Sequence, residues 1–239
     1  MKFSIETAPT LNTRLSIFVL LGLLCFSGLS AQNTFQTGAL PGINFNKDLG
    51  EIYSLNFKIE SREQFWGGEV GSDAPFNHQH LLTDFTLIGS RQVGLSEKVN
   101  FGYMFRLEEG ETIHRTIQQF SFISRLRTFS LGHRLVTDQT FEPEESTAFR
   151  LRYRVSAELP LDGDKADSGE FYVKLNNELL QSWQDGSKPL LEYRFGPFLG
   201  YSVDQTHKLE VGLDYRNRSI LIEPTRHSYW LSINWFFKL

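Results

Sequence analysis

Cysteine is almost missing from this chain, with Cys25 the one example, and there are only two Met and eight Pro. No run of Lys or Arg interrupts a formal net charge of −4, and beyond the first 31 residues no long apolar stretch occurs. Each absence excludes a class. Without a basic footprint there is nothing to hold nucleic-acid phosphates. Without repeated stretches of ~20 apolar residues there is no helical membrane bundle. Without paired cysteines there is no disulfide scaffold. What is abundant is aromatic: 14% of residues, 21 of them Phe, within 40% hydrophobic content. That load excludes disorder and raises the question of where so many Phe sit without apolar runs.

The first segment carries Lys2 and Arg14, then an apolar stretch beginning at Leu15, then the small-residue end Gly28-Leu-Ser-Ala31. This is the pattern of a cleaved secretory signal. An uncleaved helical anchor is the alternative, but the apolar stretch is shorter than a span requires. Lipidation at Cys25 is a second alternative, opposed by the large Leu24 before it. The expected division is a signal peptide over 1–31 and one domain over 32–239. Cleavage removes Lys2, Arg14, Glu6 and Cys25, leaving 22 basic against 27 acidic residues, a net of −5. A mature chain without cysteine has no disulfide, no thiol catalysis and no thiolate metal site.

From Gly38 onward apolar and polar residues alternate with period 2, the period of a strand. Phe149, Leu151, Tyr153, Val155, Ala157 and Leu159 lie on one face, against Arg150, Arg152, Arg154, Ser156 and Glu158. At the C-terminus Tyr229, Leu231, Ile233, Trp235, Phe237 and Leu239 oppose Ser228, Ser232, Asn234 and Lys238. Eleven such segments are predicted, near 36–46, 51–66, 77–90, 98–108, 114–128, 129–138, 147–159, 169–182, 189–203, 207–217 and 226–239. Tight turns roughly alternate with longer loops between them. The acidic stretch 160–169 breaks that order by being long on the short-turn side.

Alternation fits both a soluble barrel with an apolar interior and a membrane barrel with an apolar exterior. Length favours the second, because these segments reach or exceed the ~9–11 residues that cross a bilayer, whereas globular strands average about 5–6. The polar face also prefers Arg to Lys, as an enclosed ion-paired lumen does. Aromatics at the strand ends fit interfacial girdles. The expected fold is therefore an all-β, transmembrane, antiparallel up-and-down barrel of 10–12 strands. Because single-chain bacterial barrels are normally even-stranded, twelve is slightly favoured. The expected location is the outer membrane of a Gram-negative bacterium. The C-terminal Trp235-Phe-Phe-Lys-Leu239 resembles the strand that addresses such barrels to the barrel-assembly machinery. The expected partners are that machinery and outer-membrane lipid, around a monomer.

Several short motifs along the mature chain point to one family. Gly38-Ala-Leu, Ser61-Arg62-Glu63, Leu131-Gly-His-Arg-Leu, Arg150-Leu-Arg-Tyr-Arg154, Glu158-Leu-Pro160 and Asn176-Asn-Glu178 together resemble domain-of-unknown-function family 2490. The resemblance implies an exported β-barrel and brings no catalytic residue with it.

Charge on the polar face is the main chemical feature. Arg125, Arg127, Arg134, Arg150, Arg152 and Arg154 fall on the fifth to seventh strands, with Glu158 at the end of the seventh. Glu178, Glu192, Glu210 and Asp214 fall on the eighth to tenth, so a basic wall is expected to face an acidic one. Such a network either plugs the barrel and stiffens it or lines a narrow polar passage. Two alternatives remain open, a barrel hydrolase and a soluble periplasmic binding barrel. For the hydrolase, His78, His80, His114 and His227 lie toward the presumed outer end, with Asp73, Asp84, Glu111, Glu223 and Ser228 as partners, and His133 and His207 elsewhere. No Gly-x-Ser-x-Gly or His-Glu-x-x-His motif supports it. His78 and His80 share one strand face without a third metal ligand, and Asp162–Asp167 lacks the spacing of a calcium loop. No metal, cofactor or catalytic residue is predicted.

Overall fold

The computed structural model describes residues 33–126, 129–163, 165–222 and 224–239. The predicted signal segment 1–31, Arg127 and Glu223 lie outside the described residues. Eleven strands form one closed barrel: β1 (Thr34–Asp48), β2 (Tyr53–Glu69), β3 (Gln79–Gln92), β4 (Glu97–Glu108), β5 (Glu111–Arg125), β6 (Ser130–Phe141), β7 (Ala148–Pro160), β8 (Glu170–Trp183), β9 (Leu190–Ser202), β10 (His207–Arg218) and β11 (Arg226–Lys238). Each of the eleven predicted segments becomes one of these strands, and no helix is present among the described residues.

Two expectations need correction. The count is eleven, not the slightly favoured twelve, and the barrel is not antiparallel throughout. Neighbours pair antiparallel from β1 round to β11, but β1 and β11 close the wall in parallel, with Thr34 opposite Arg226 and Asn46 opposite Lys238. The two facts are one: in an up-and-down wall with an odd number of strands, the first and last run the same way. Thr34 therefore starts at the end that carries loops 70–78 and 219–225, and Leu239 finishes at the opposite end beside Asn46. The hairpin between β4 and β5 is also tighter than the loop expected there. Glu109 and Gly110 both adopt positive φ, 51° and 85°, which matches a two-residue turn to the right-handed twist of its strands.

The faces are inverted relative to a soluble barrel. On β11 Leu231 and Ile233 are 50% and 40% exposed on the outer face, while Ser232 and Asn234 are 4% and 9% exposed inside. Phe57, Leu87, Phe101, Leu151 and Leu199 continue the outer apolar band, and Arg62, Asp84, Arg115, Asp138 and Glu178 are buried inside. Closure gives the backbone groups of each strand a neighbour on either side, leaving no open sheet edge. Glycine shapes the inner wall where aromatics share it. A Cβ at Gly200 would lie 2.1 Å from the ring of Tyr172, so the missing side chain lets that buried ring lie against the wall.

Candidate functional site

The inner face encloses a cavity of about 410 Å³. Eleven Lys and Arg side chains line it, against five Asp and Glu. Asp138, Glu192 and Glu108 pair with these cations from outside the lining, which still leaves cations in surplus.

Strand register decides who meets whom. Arg150 on β7 stands opposite Asp138 on β6, and its Nε donates to Asp138 Oδ1 at 2.6 Å. Two positions along the same inner face, Arg152 brings Nη2 to 3.1 Å from Asp138 Oδ2, within ion-pair distance. Arg115 on β5 approaches from the other side, with Nε 3.5 Å from Asp138 Oδ1, while donating to Thr140 Oγ1 at 2.8 Å. One carboxylate, 0% exposed, thus serves three guanidiniums. Glu178 repeats the arrangement. It stands between Arg154 on β7 and Arg194 on β9, at 2.8 Å and 3.3 Å. Arg194 also donates to Glu192 at 2.6 Å, and Arg218 lies 3.8 Å from that same carboxylate.

Elsewhere each carboxylate meets a single cation. Arg216 donates to Asp214 at 2.5 Å, and Lys58 bonds Glu60, each two residues away on one strand face. Arg106 holds Asp84 on the adjacent strand through two N–H donors, at 2.7 and 2.9 Å. Glu210 accepts from Lys174 Nζ and from the Tyr172 hydroxyl, both at 2.9 Å.

The charges therefore meet along the wall, mostly through adjacent strands or i, i+2 neighbours, with Lys174 on β8 reaching across β9 to Glu210 on β10, and the carboxylates are interleaved with the arginines. Of the predicted site residues, Arg150, Arg152, Arg154, Glu178, Glu192, Glu210 and Asp214 each pair, though in separate groups. Arg125 is exposed at the end of β5 and joins none of them. Glu158 stands opposite Lys174 in register, but Lys174 is held by Glu210. Arg134 lines the cavity directly opposite Arg154 and forms no ion pair among the described residues.

Asp138 is the main residue the sequence reading missed. It shares an inner face with Arg134 and Val136, so following that alternation to Thr140 identifies it. Arg115 is likewise in step with Ile113 and Ile117, both buried.

The histidines lie on the outer face or in turns. The Tyr153 and Tyr215 hydroxyls lie 2.9 and 3.0 Å from Nδ1 of His133 and His227, and Tyr103 bonds His114 in the same way. His207 sits 2.8 Å from Asp204 in the β9–β10 turn. His78 and His80 meet a residue not among their predicted partners, Glu63, at 3.1 and 2.8 Å. A bulge causes this: Arg62 pairs with Leu82 and Glu63 with His80, so the extra Leu81 turns His80 onto the face of Thr83. Thr83 Oγ1 lies 3.3 Å from His80 Nε2, and the Ser61 hydroxyl donates to Glu63 at 2.5 Å. No group of three His, Cys, Asp or Glu able to hold a metal ion occurs among the described residues.

No curated protein and no solved structure matches the chain. A family model described as "Protein of unknown function (DUF2490)" matches residues 37–220, covering the wall from β1 to the end of β10. With its motifs spread round a closed, charge-lined barrel and most of its length matched, the chain belongs to this family of unknown function.

Proposed function

We propose that the protein is an exported β-barrel of the Gram-negative outer membrane, inserted as a monomer by the barrel-assembly machinery, with a charged lumen that stiffens the wall and restricts passage. The inversion of its two faces carries this reading. A wall whose exposed side is Leu, Phe, Ile and Trp and whose buried side is Arg, Asp, Glu and Asn suits lipid outside and water or ion pairs inside. The shortest strands have 12 residues. At ~3.3 Å per residue and ~40° of tilt they rise about 30 Å, enough for an apolar band of ~25 Å. Outer-membrane fractionation followed by gels of heated and unheated samples tests the claim: a membrane-bound, heat-modifiable band is expected, and a soluble periplasmic protein would sink it. Arg154→Ala tests the lumen's role, because loosening a plug raises single-channel conductance in planar bilayers. An unchanged conductance would remove the plug.

One observation favours a second reading, a hydrolase worked from the outer rim. Thr83, His80 and Glu63 run in the order hydroxyl, imidazole, carboxylate, the two contacts of His80 using different ring nitrogens. Hydrolysis of an ester lipid by wild type, lost in His80→Ala and kept in His133→Ala, would support it. Equal turnover by wild type and His80→Ala would end it.

A further inference from the structure

The surplus of positive charge inside the barrel has a definite place. We propose that the inner wall around Arg134, Arg152 and Arg154 binds a doubly charged oxyanion of the phosphate or sulfate class, free or carried on a small solute. This deepens the reading of the lumen given above, and it requires a folded barrel whether or not that barrel resides in a membrane.

Arg134 and Arg154 occupy directly opposed positions on β6 and β7, and both line the cavity. Like charges placed opposite one another in a sheet destabilise it unless something lies between them. Glu178 holds Arg154 at 2.8 Å and Arg194 at 3.3 Å, so it acts on Arg134 only at longer range, and Arg134 has no carboxylate within ion-pair distance among the described residues. Arg152, one step along the same face, has a buried Nε that donates to nothing, and its Nη2 leans on Asp138, which also serves Arg150 and Arg115. A guanidinium carries five N–H donors. The structure gives Arg154 one such bond, to Glu178, and Arg134 none. Three arginines with uncommitted N–H donors thus line one cavity, next to carboxylates already shared. A tetrahedral oxyanion supplies both missing features, two negative charges and several acceptor oxygens able to take paired N–H groups. Chloride supplies one charge and no such geometry.

The test uses the protein purified in detergent micelles, titrated calorimetrically with inorganic phosphate and, at matched ionic strength, with chloride. Saturable phosphate binding and a phosphate-dependent rise in melting temperature are expected, with neither from chloride. R134Q is expected to weaken phosphate binding at least tenfold. Without phosphate it is expected to melt no lower than wild type, because it deletes an unpaired charge. R134K, which keeps the charge and loses the fork, is expected to bind more weakly than wild type while remaining folded. Identical responses to phosphate and chloride would overturn the site, as would wild-type phosphate affinity in R134Q or R134K. Because the titration needs no bilayer, a protein that binds phosphate but never reaches the outer membrane would refute the localisation alone. An inserted barrel indifferent to phosphate would refute the site alone.

Discussion

The wall around β6 to β8 and the strands β2 and β10 solve the same problem differently. In β2 Lys58 meets Glu60, and in β10 Arg216 meets Asp214, each two residues away on its own strand. Around β6 to β8 a single carboxylate gathers guanidiniums from other strands, with Asp138 taking Arg115, Arg150 and Arg152, and Glu178 taking Arg154 and Arg194. The first kind of pair forms in any extended strand with alternating faces. The second exists only when three strands stand in the right register, since slipping one by a single residue sends its whole charged face outward. The hubs therefore tie register to charge, and the local pairs only neutralise.

That contrast can be broken in graded steps. Asp138→Asn has the largest expected effect. It leaves the buried Arg115 and the half-buried Arg150 and Arg152 without their shared carboxylate and is expected to cost about 3–5 kcal/mol, read as a lower urea midpoint of the barrel in micelles. Glu60→Gln removes the acid of a local, partly exposed pair and is expected to cost about 1 kcal/mol in the same assay. If Glu60→Gln cost as much as Asp138→Asn, the distinction between hub and local pair would fail. The smallest effect belongs to Asp204, in the β9–β10 turn outside the strands. The side-chain and backbone donors of Thr206, with His207, hold its carboxyl well below the ordinary carboxylate range. Because the folded value is depressed, the stability it contributes is present above the ordinary carboxylate pKa and is lost as pH falls through the folded one. Asp204→Asn is accordingly expected to lower stability slightly at neutral pH and to converge with wild type in acid, which flattens the acid limb of the profile.

The same contrast marks what the sequence makes legible. Alternation reveals each strand and which residues share a face, so Arg150, Arg152 and Arg154 are recognisable as one row before any strand is paired. The partner of that row depends on register: alternation places Asp138 on the inner face beside Arg134, and only the pairing of β6 with β7 makes it the shared carboxylate. The parallel seam is legible in the count: eleven alternating segments make the first and last strands run the same way, and only the usual preference for an even number argues against it. Bulges defeat period 2 outright. His80 is in step with the buried Leu82 and Asp84, yet Leu81 turns it outward to Glu63. Arg125 has the right parity and lies where its strand ends, beyond reach of the network.

The inversion of faces is the central claim, and the lack of cysteine after Cys25 makes it directly measurable. Single cysteines at Leu231 and Ser232, neighbours on β11 with opposite exposure, can each carry a polarity-sensitive fluorophore in the barrel reconstituted into lipid vesicles. A blue-shifted label is expected at 231, quenched by lipids brominated on their acyl chains, with an unquenched label at 232. Both labels in water-like surroundings, or quenching reversed between the two positions, would contradict the inversion.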